Sequence, residues 1–590
     1  MKYTVSLVLI SLLFSVACRE KSDNKPQTVQ STMDDVVTRL YSSLSAEQLD
    51  TIGNSYILEF LDEDEKEVLS TKFLYFTVNV PVKVSLMRHL DQTIPPFWLE
   101  SSGFVKTDLS VKNYHNTYEV WQKDFGAGKV ELGINGFDQH RPVFFICVGP
   151  KNPQDVLEIS QEFPDNQHFE EMGIGAFTYH DWDELTLEEV PEELKGQVLF
   201  TTIRGRAREA HLVGAFRKTP YPSTNQPDQV LLTWSDDPTS TIDIQWRTNS
   251  SVSKGGVKFW MAGSNDTLVG KAEKLLMEDR LLQNDRYIYR YTAKLENLKS
   301  GSLYQYQVGA DEGLWTDVAT FKTETVNDDS FSFIWFGDTH KSPKWGNLLQ
   351  ESYQKYPDVA FYSIAGDLVG TGLFRDEWDK FFHNSGPVFN FKPLMPTPGN
   401  HDNQDGLGAW MYAELFSLPE NGPQKVLPEM TYSFTYKNAL FLMIDATAPY
   451  SYQSEWIENQ LQNTNAEWKF AMFHFPPYNY EEDYSDIRER WCSLFDTYHV
   501  DMVMSGHTHY YMRSKPIFNE QVVDHPSKGT IYIISVGIPG NHGDIPPQDY
   551  AEVQDGKGWL YQHVKIENNK LIYKSINIDG KIKDELVIEK

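Results

Sequence analysis

Cysteine is nearly absent: the 590 residues contain three, Cys18, Cys147 and Cys492. So few, so far apart, make neither a disulfide framework nor a thiolate metal site, and Cys147 and Cys492 read as core filler. Basic residues are scarce as well. The 53 Lys and Arg stand against 83 Asp and Glu, a formal charge of -30 with a pI near 4.9. A nucleic-acid or anionic-membrane face needs clustered positive charge, so no nucleic-acid partner is expected, and the acidity suits a protein soluble outside the cytoplasm. A membrane-spanning run is also missing, because the apolar stretch at residues 5–16 is too short to cross a bilayer as a mature helix.

That stretch follows Lys2 and leads through Ser15, Val16 and Ala17 directly to Cys18. The arrangement resembles a bacterial lipoprotein signal. It implies a signal over residues 1–18, a lipid on Cys18, and attachment to a bacterial membrane in the periplasm or at the cell surface. Residues 19–31 are polar and read as a tether.

The chain is too long for one core, and several domains are expected. Residues 32–216 read as a β-rich α+β domain of open role. Helical spacing at 33–44 and 46–61 precedes strand-like runs at 73–84, 129–134, 142–148, 197–203 and 211–216. Its histidines, His89, His115, His140, His168, His180 and His211, are dispersed and show no ligand spacing. A linker with Pro220, Pro222 and Pro227 follows. Residues 225–325 carry short runs at β-sandwich spacing, at 230–234, 241–247, 256–261, 287–295, 302–308 and 318–322, with Trp246 as the buried indole of a central strand. Leu298, Gly301 and Tyr304 look like the tyrosine corner of a fibronectin type III sandwich, which implies a buried Tyr304 whose hydroxyl bonds nearby backbone.

Residues 328–590 alternate strand and helix. Helical candidates at 345–355, 375–382, 454–462 and 486–498 lie between apolar runs, the order of a layered α/β domain with helices outside. Each run ends in polar residues. Residues 331–336 lead into Asp338 and His340, 359–365 into Asp367, 393–398 into Asn400, His401 and Asp402, 468–473 into His474, and 501–504 into Gly506, His507, Thr508 and His509. Open α/β sheets collect their chemistry beyond the carboxyl ends of strands, so these scattered residues are expected to converge. Gly506 is expected to make the sharp turn that throws out the two imidazoles after it. Imidazole, carboxylate and amide oxygen together suit iron, zinc or manganese.

This ordered series resembles that of the calcineurin-like metallophosphoesterase superfamily and, within it, of the purple acid phosphatases. His474-Phe475-Pro476-Pro477-Tyr478-Asn479 and Gly506-His507-Thr508-His509-Tyr510-Tyr511 are similar to that family's own motifs, and a sandwich precedes the catalytic domain in both. The resemblance covers residues 225–590. It implies two metal ions bridged by one carboxylate, the first held by Asp338, His340, Asp367 and His509, the second by Asp367, Asn400, His474 and His507. It implies a hydroxide between the ions as nucleophile, and reserves His401 to contact the phosphate or protonate the leaving oxygen. Asp402 and Asp445 are candidates for orienting ligands, or for ordinary capping.

Two departures from the family bear on the chemistry. Gly370 stands where purple acid phosphatases carry the tyrosine whose phenolate colours their iron, and His340 stands where they carry glycine. One donor lost and one gained keeps the first ion four-liganded, so the protein is not expected to be purple. The loop after His474 offers Tyr480, Glu481, Glu482, Asp483 and Tyr484 in place of substrate-contacting histidines. Its carboxylates would repel a phosphoester unless they face solvent or meet cations.

The expected whole is multidomain: a layered α/β metallophosphoesterase domain, built as a β-sandwich flanked by helices, behind a fibronectin III-like sandwich and a β-rich N-terminal domain. The expected activity is hydrolysis of small extracytoplasmic phosphomonoesters. A phosphodiesterase is the alternative, and a non-catalytic surface binding lipoprotein with a vestigial metal site is the alternative of another class.

Overall fold

The computed structural model describes residues 27–590 apart from 141, 166, 180–184, 310–312, 326–329, 404–406 and 541. The expected signal of residues 1–18, with Cys18, and the first part of the expected tether lie outside the described residues.

Two packed sheets position the site. In one, Ala439–Met443, Trp468–Met472, Met502–Ser505 and Ile531–Ile534 run parallel in that order, with Tyr432–Tyr436 antiparallel at one edge and Tyr511–Ser514 and Ala551–Asp555 at the other. Both faces of the parallel strands are covered. Phe441, Met443, Phe470, Met504 and Ile533 belong to the core between the sheets, and Leu440, Leu442, Ala471, Val503 and Ile534 to a second core with Ile457, Trp491 and Phe495 of the outer helices. A strand buried on both faces reads as an unbroken apolar run, which is the pattern in the sequence.

In the other sheet Phe331–Phe336 pairs in parallel with Tyr362–Ile364 and antiparallel with Leu560–Glu567, which continues into Lys570–Asn577 and Ile582–Glu589. Phe333 meets Phe441 and Phe470 across the interface at centroid distances of 5.2 and 5.6 Å. Helix Pro343–Lys355 covers the far face through Trp345, which lies against Phe336 and stacks on Phe381 of helix Arg375–Ser385.

The expected helix at 454–462 forms as Ser454–Gln462, and the one at 486–498 is continuous from Ser485 to Tyr498 but passes through a π turn at Arg488–Cys492. The run at 393–398 is not a strand. Pro393, Pro396 and Pro398 have no N–H to donate, and the segment joins its neighbour only through bridges from Tyr362 to Leu394 and from Ala365 to Thr397.

Upstream, two four-stranded antiparallel sheets form a sandwich, one ordered Asp228–Thr233, Ile242–Asn249, Tyr287–Leu295, Glu273–Glu278 and the other Leu268–Lys271, Gly256–Met261, Leu303–Gly309, Ala319–Lys322. The two strands with no counterpart in the sequence reading, Leu268–Lys271 and Glu273–Glu278, are mostly exposed edge strands and carry no alternating apolar signal. Trp246 is fully buried on an inner strand, and the buried Tyr304 accepts the Lys299 N–H at 2.9 Å. The sandwich and the two packed sheets downstream share one apolar core reaching from Val230 to Ile588. The buried Arg247 adds a polar tie, 2.6 Å from Asp228 and 2.7 Å from Asp379 on helix Arg375–Ser385.

A separate core serves the N-terminal region, with a seven-stranded and a three-stranded sheet. Its first helix starts at Val29, where Thr28 and Ser31 form a capping box, so residues 29–31 of the expected tether are helical. The run at 73–84 divides around Pro81 into Leu74–Val78 and Val82–His89, and the run at 211–216 is interrupted by Gly214 with φ 67° and forms no strand.

The last hairpin fastens the segment that follows His509. Asp584 accepts from the Tyr511 hydroxyl at 2.7 Å and from Arg513 Nε and Nη2 at 2.6 and 3.0 Å, all of them buried. Removing Asp584 leaves a buried guanidinium unpaired, so Asp584→Ala is expected to cost about 3–5 kcal/mol in urea unfolding. A loss below about 1 kcal/mol, the scale of a surface pair, would show that the tie is not used.

Candidate metal centre

Asp338 and Asp367 are buried, and each divides its oxygens between backbone and site. Asp338 Oδ1 accepts the His507 N–H at 2.7 Å, and Asp367 Oδ1 accepts the His401 N–H at 2.9 Å. The other oxygens turn to the imidazoles. Asp338 Oδ2 lies 2.9 Å from His509 Nε2 and 3.6 Å from His340 Nε2. Asp367 Oδ2 lies 3.3 Å from His474 Nε2, 3.8 Å from His340 Nε2 and 4.0 Å from His401 Nε2. Three sets of donor atoms come within 4.8 Å of one another: Asp338, His340 and His509; His340, Asp367 and His401; Asp338, Asp367 and His474.

The rings are oriented from behind. His474 Nδ1 lies 2.8 Å from the Ala365 carbonyl, His401 Nδ1 2.8 Å from that of Gly370, and His340 Nδ1 3.3 Å from that of Val369. A carbonyl only accepts, so each Nδ1 carries a proton and Nε2 is the nitrogen left for the cluster. His474 Nε2 and Asn400 Oδ1 are buried and have no hydrogen-bond partner. Orphaned buried polar atoms are costly, and a donor set of imidazole, carboxylate and amide oxygen that leaves two of them unpaired fits ions of the iron, zinc or manganese type. Among the described residues the thiols are Cys147 and Cys492, which are free and buried in other cores.

The electrostatics has the same centre. Burial would raise the carboxyl of Asp367, but His474 and His401 hold it well below the usual range, and His509 and His474 hold Asp338 down likewise. Burial would lower His474, but Asp367 and Asp338 push it up to about 10, and Asp338 also raises His509 against its burial. At His340 burial wins and the pKa falls. Backbone strain collects here too. His340, Asp367, His507 and His509 have φ of 43°, 54°, 76° and 55°, in the left-handed region that costs a non-glycine residue about 1–3 kcal/mol.

Gly506 does not make the expected turn. The left-handed residues are His507 and His509, and Gly506 is needed because a Cβ there would lie 2.3 Å from Asp338 Oδ1. Asp402 does not face the cluster either. It accepts the N–H groups of Gly399, Leu368 and Val369 at 2.9, 3.2 and 3.2 Å, which pins two motif turns together, and burial with the nearby Asp367 pushes it up to about 7. Asp445 accepts from Thr447. His507 belongs to none of the three donor sets; its ring centroid lies 5.0 Å from that of His474, and its Nε2 lies 3.2 Å from both oxygens of Glu482.

Glu482 was readable only as one acid in an acidic loop, since nothing in its spacing marks a partner 25 positions on. The pair of Lys341 Nζ with Glu377 Oε2, at 2.6 Å, had no sequence signal at all; a Cβ on Gly370 would meet that ammonium at 2.8 Å, so the space beside Gly370 is taken. Of the dispersed N-terminal histidines, His89 and His140 touch at 3.0 Å, and among the described residues they belong to no converging set of three donors. Gly506→Ala must displace Asp338, so the purified variant is expected to hold less metal than the wild type by elemental analysis, with an unchanged far-ultraviolet circular dichroism spectrum. Full metal content would show that the carboxylate can yield.

Residues 331–511 match the family described as calcineurin-like phosphoesterase, and residues 227–323 the family described as purple acid phosphatase, N-terminal domain. An uncharacterised protein of Mycobacterium tuberculosis is 26% identical over 318 residues, covering 46% of this chain and 59% of that protein. The chain therefore spans about three fifths of that relative's length. A purple acid phosphatase of Glycine max is 26% identical over 324 residues, covering 50% of this chain and 68% of its own. Among solved structures, purple acid phosphatase PPD1 from yellow lupin (Lupinus luteus) seeds aligns with a TM-score of 0.54 at 15% identity, covering 88% of this chain and 91% of that one. This likeness is one of fold, and its coverage is larger than residues 225–590 can supply, so it reaches into the N-terminal region. The chain thus carries a calcineurin-like phosphoesterase domain, with the motif residues gathered at its strand ends, behind a purple acid phosphatase N-terminal domain.

Proposed function

We propose that this chain is a dinuclear-metal-dependent hydrolase of phosphate esters that works outside the cytoplasm from a lipid anchor on Cys18. The observation that carries the reading is the meeting of Asp338, His340, Asp367, His474 and His509, up to 171 positions apart, at a place where His474 Nε2 and Asn400 Oδ1 are buried and make no hydrogen bond. On this reading Asp338, His340, Asp367 and His509 hold one ion and Asp367, Asn400, His474 and His507 the other. Such ions, when bound, polarise phosphoryl oxygens and lower the pKa of water.

The chain's own groups do the rest. Asp367 would serve both ions, since Oδ1 is occupied by backbone and Oδ2 stands between the ring sets. His401 is left free to act on substrate. Its Nδ1 proton is committed to the Gly370 carbonyl and its side chain is 42% exposed, so Nε2 can meet a phosphoryl oxygen or give a proton to the leaving oxygen. Each acid of the loop is engaged. Glu481 lies 3.4 Å from His542, Glu482 3.2 Å from His507 and Asp483 2.7 Å from the permanent cation of Arg488, so each carboxylate is turned to a partner.

We read the substrates as small phosphomonoesters, in keeping with relatives that are named phosphatases. With the space beside Gly370 taken by Lys341, His340 would supply the donor that a phenolate there would otherwise give. The sandwich of residues 225–325 we read as a fibronectin III-like support for the phosphoesterase domain of residues 328–590. Metal-loaded protein is expected to hydrolyse an aryl phosphomonoester faster than the matching diester, with Asp367→Asn at background. A preference for the diester would make it a phosphodiesterase, and full metal content with no turnover across a broad ester panel would make it a binding protein. Iron-loaded protein is expected to show no tyrosinate charge-transfer band in its visible spectrum; such a band would refute the exchange of Tyr for His340.

A further inference from the structure

His340, His401 and His474 each commit Nδ1 to a backbone carbonyl and turn Nε2 to the cluster. His507 is the reverse. Its Nε2 lies 3.2 Å from both carboxylate oxygens of Glu482, and a carboxylate only accepts, so Nε2 carries the proton and Nδ1 is the nitrogen left to bind. His507 is also tied at its backbone, where its N–H donates to Asp338. The ring's remaining freedom is rotation about its side-chain bonds, and Glu482 removes it.

Glu482 is itself held in place. Asn479 Oδ1 accepts its N–H at 2.7 Å, Asn479 Nδ2 donates to its carbonyl at 3.0 Å and to that of Pro476 at 2.9 Å, and the Tyr484 hydroxyl donates to Oε2. Arg488, at the start of the π turn, donates to the Pro477 carbonyl at 2.8 Å and to Asp483 at 2.7 Å. A glutamate on an untied surface loop would turn to water; this one is fixed by its neighbours with its carboxylate against a ring.

We propose that Glu482 is a positioning residue for His507: it sets the Nε2–H tautomer, aims Nδ1 at the second ion and places a negative charge behind that ligand. The inference rests on the two-ion reading and deepens it. Carboxylates behind ligating histidines contribute about 10–100-fold to metal affinity. The test is calorimetric titration of zinc into the metal-stripped full chain. The wild type is expected to take two ions, and Glu482→Ala to take one as the wild type does and the other about 10–100-fold more weakly. Glu482→Gln keeps an acceptor oxygen without the charge and should fall between them; it also carries the test if the Ala variant fails to fold. Glu481→Ala, whose partner is His542, should match the wild type.

Two ions at wild-type affinity in both Glu482 variants would overturn the assignment and leave the two-ion reading standing. Equal weakening in Glu481→Ala would overturn it as well, because the effect would then be one of general loop charge. No zinc bound by the wild type would sink the two-ion reading, and this assignment with it.

Discussion

Two buried carboxylates, Asp338 and Asp367, govern the structure of the phosphoesterase domain. An ionised group taken out of water costs several kcal/mol unless its environment compensates it, and here the compensation comes from other motifs. Asp338, at the end of one strand, takes the backbone N–H of His507 from the last motif, and Asp367 takes that of His401 from the third. Each pair joins segments that are distant in the chain. The motifs are therefore assembled together, and the histidines that complete the compensation, His474 and His509 above all, acquire raised affinity for protons for the same reason that they would acquire affinity for a cation.

Holding these groups at one point requires a backbone that an unconstrained chain would not choose. His340, Asp367, His507 and His509 all have positive φ, and the strain is sustained by two sheets packed face to face, by the Asp402 carboxylate that clamps Leu368, Val369 and Gly399, and by the Asp584 tie behind Tyr511 and Arg513. Strain of this kind persists only where the surroundings over-determine it. The same crowding explains Gly506, which is kept small by the oxygen of Asp338.

The variations on the family pattern form one consistent set. Where a tyrosine would enter beside position 370, Lys341 and Glu377 fill the space, and His340 brings its Nε2 to 3.1 Å from that of His509. The acidic loop that would be hostile to a phosphoester has each carboxylate matched to a cationic or proton-donating partner, one of which, His507, packs its ring beside that of His474.

Much of this was legible in the sequence. Strands buried on both faces leave unbroken apolar runs, and polar residues that end such runs must emerge at the carboxyl edge of the sheet, so Asp338, Asp367, His474 and His509 were marked by position and chemistry alone. The proline-rich run at 393–398 misled, because an apolar pattern says nothing of missing N–H donors, and the edge strands Leu268–Lys271 and Glu273–Glu278 left no pattern because they bury little. What only the tertiary structure decided are the pairings across long stretches of chain: which oxygen of each Asp meets backbone, which nitrogen of each ring is free, and that Glu482 stands behind His507. Those depend on distances between segments, and a one-dimensional pattern records the chemistry of each residue without recording what folding brings beside it.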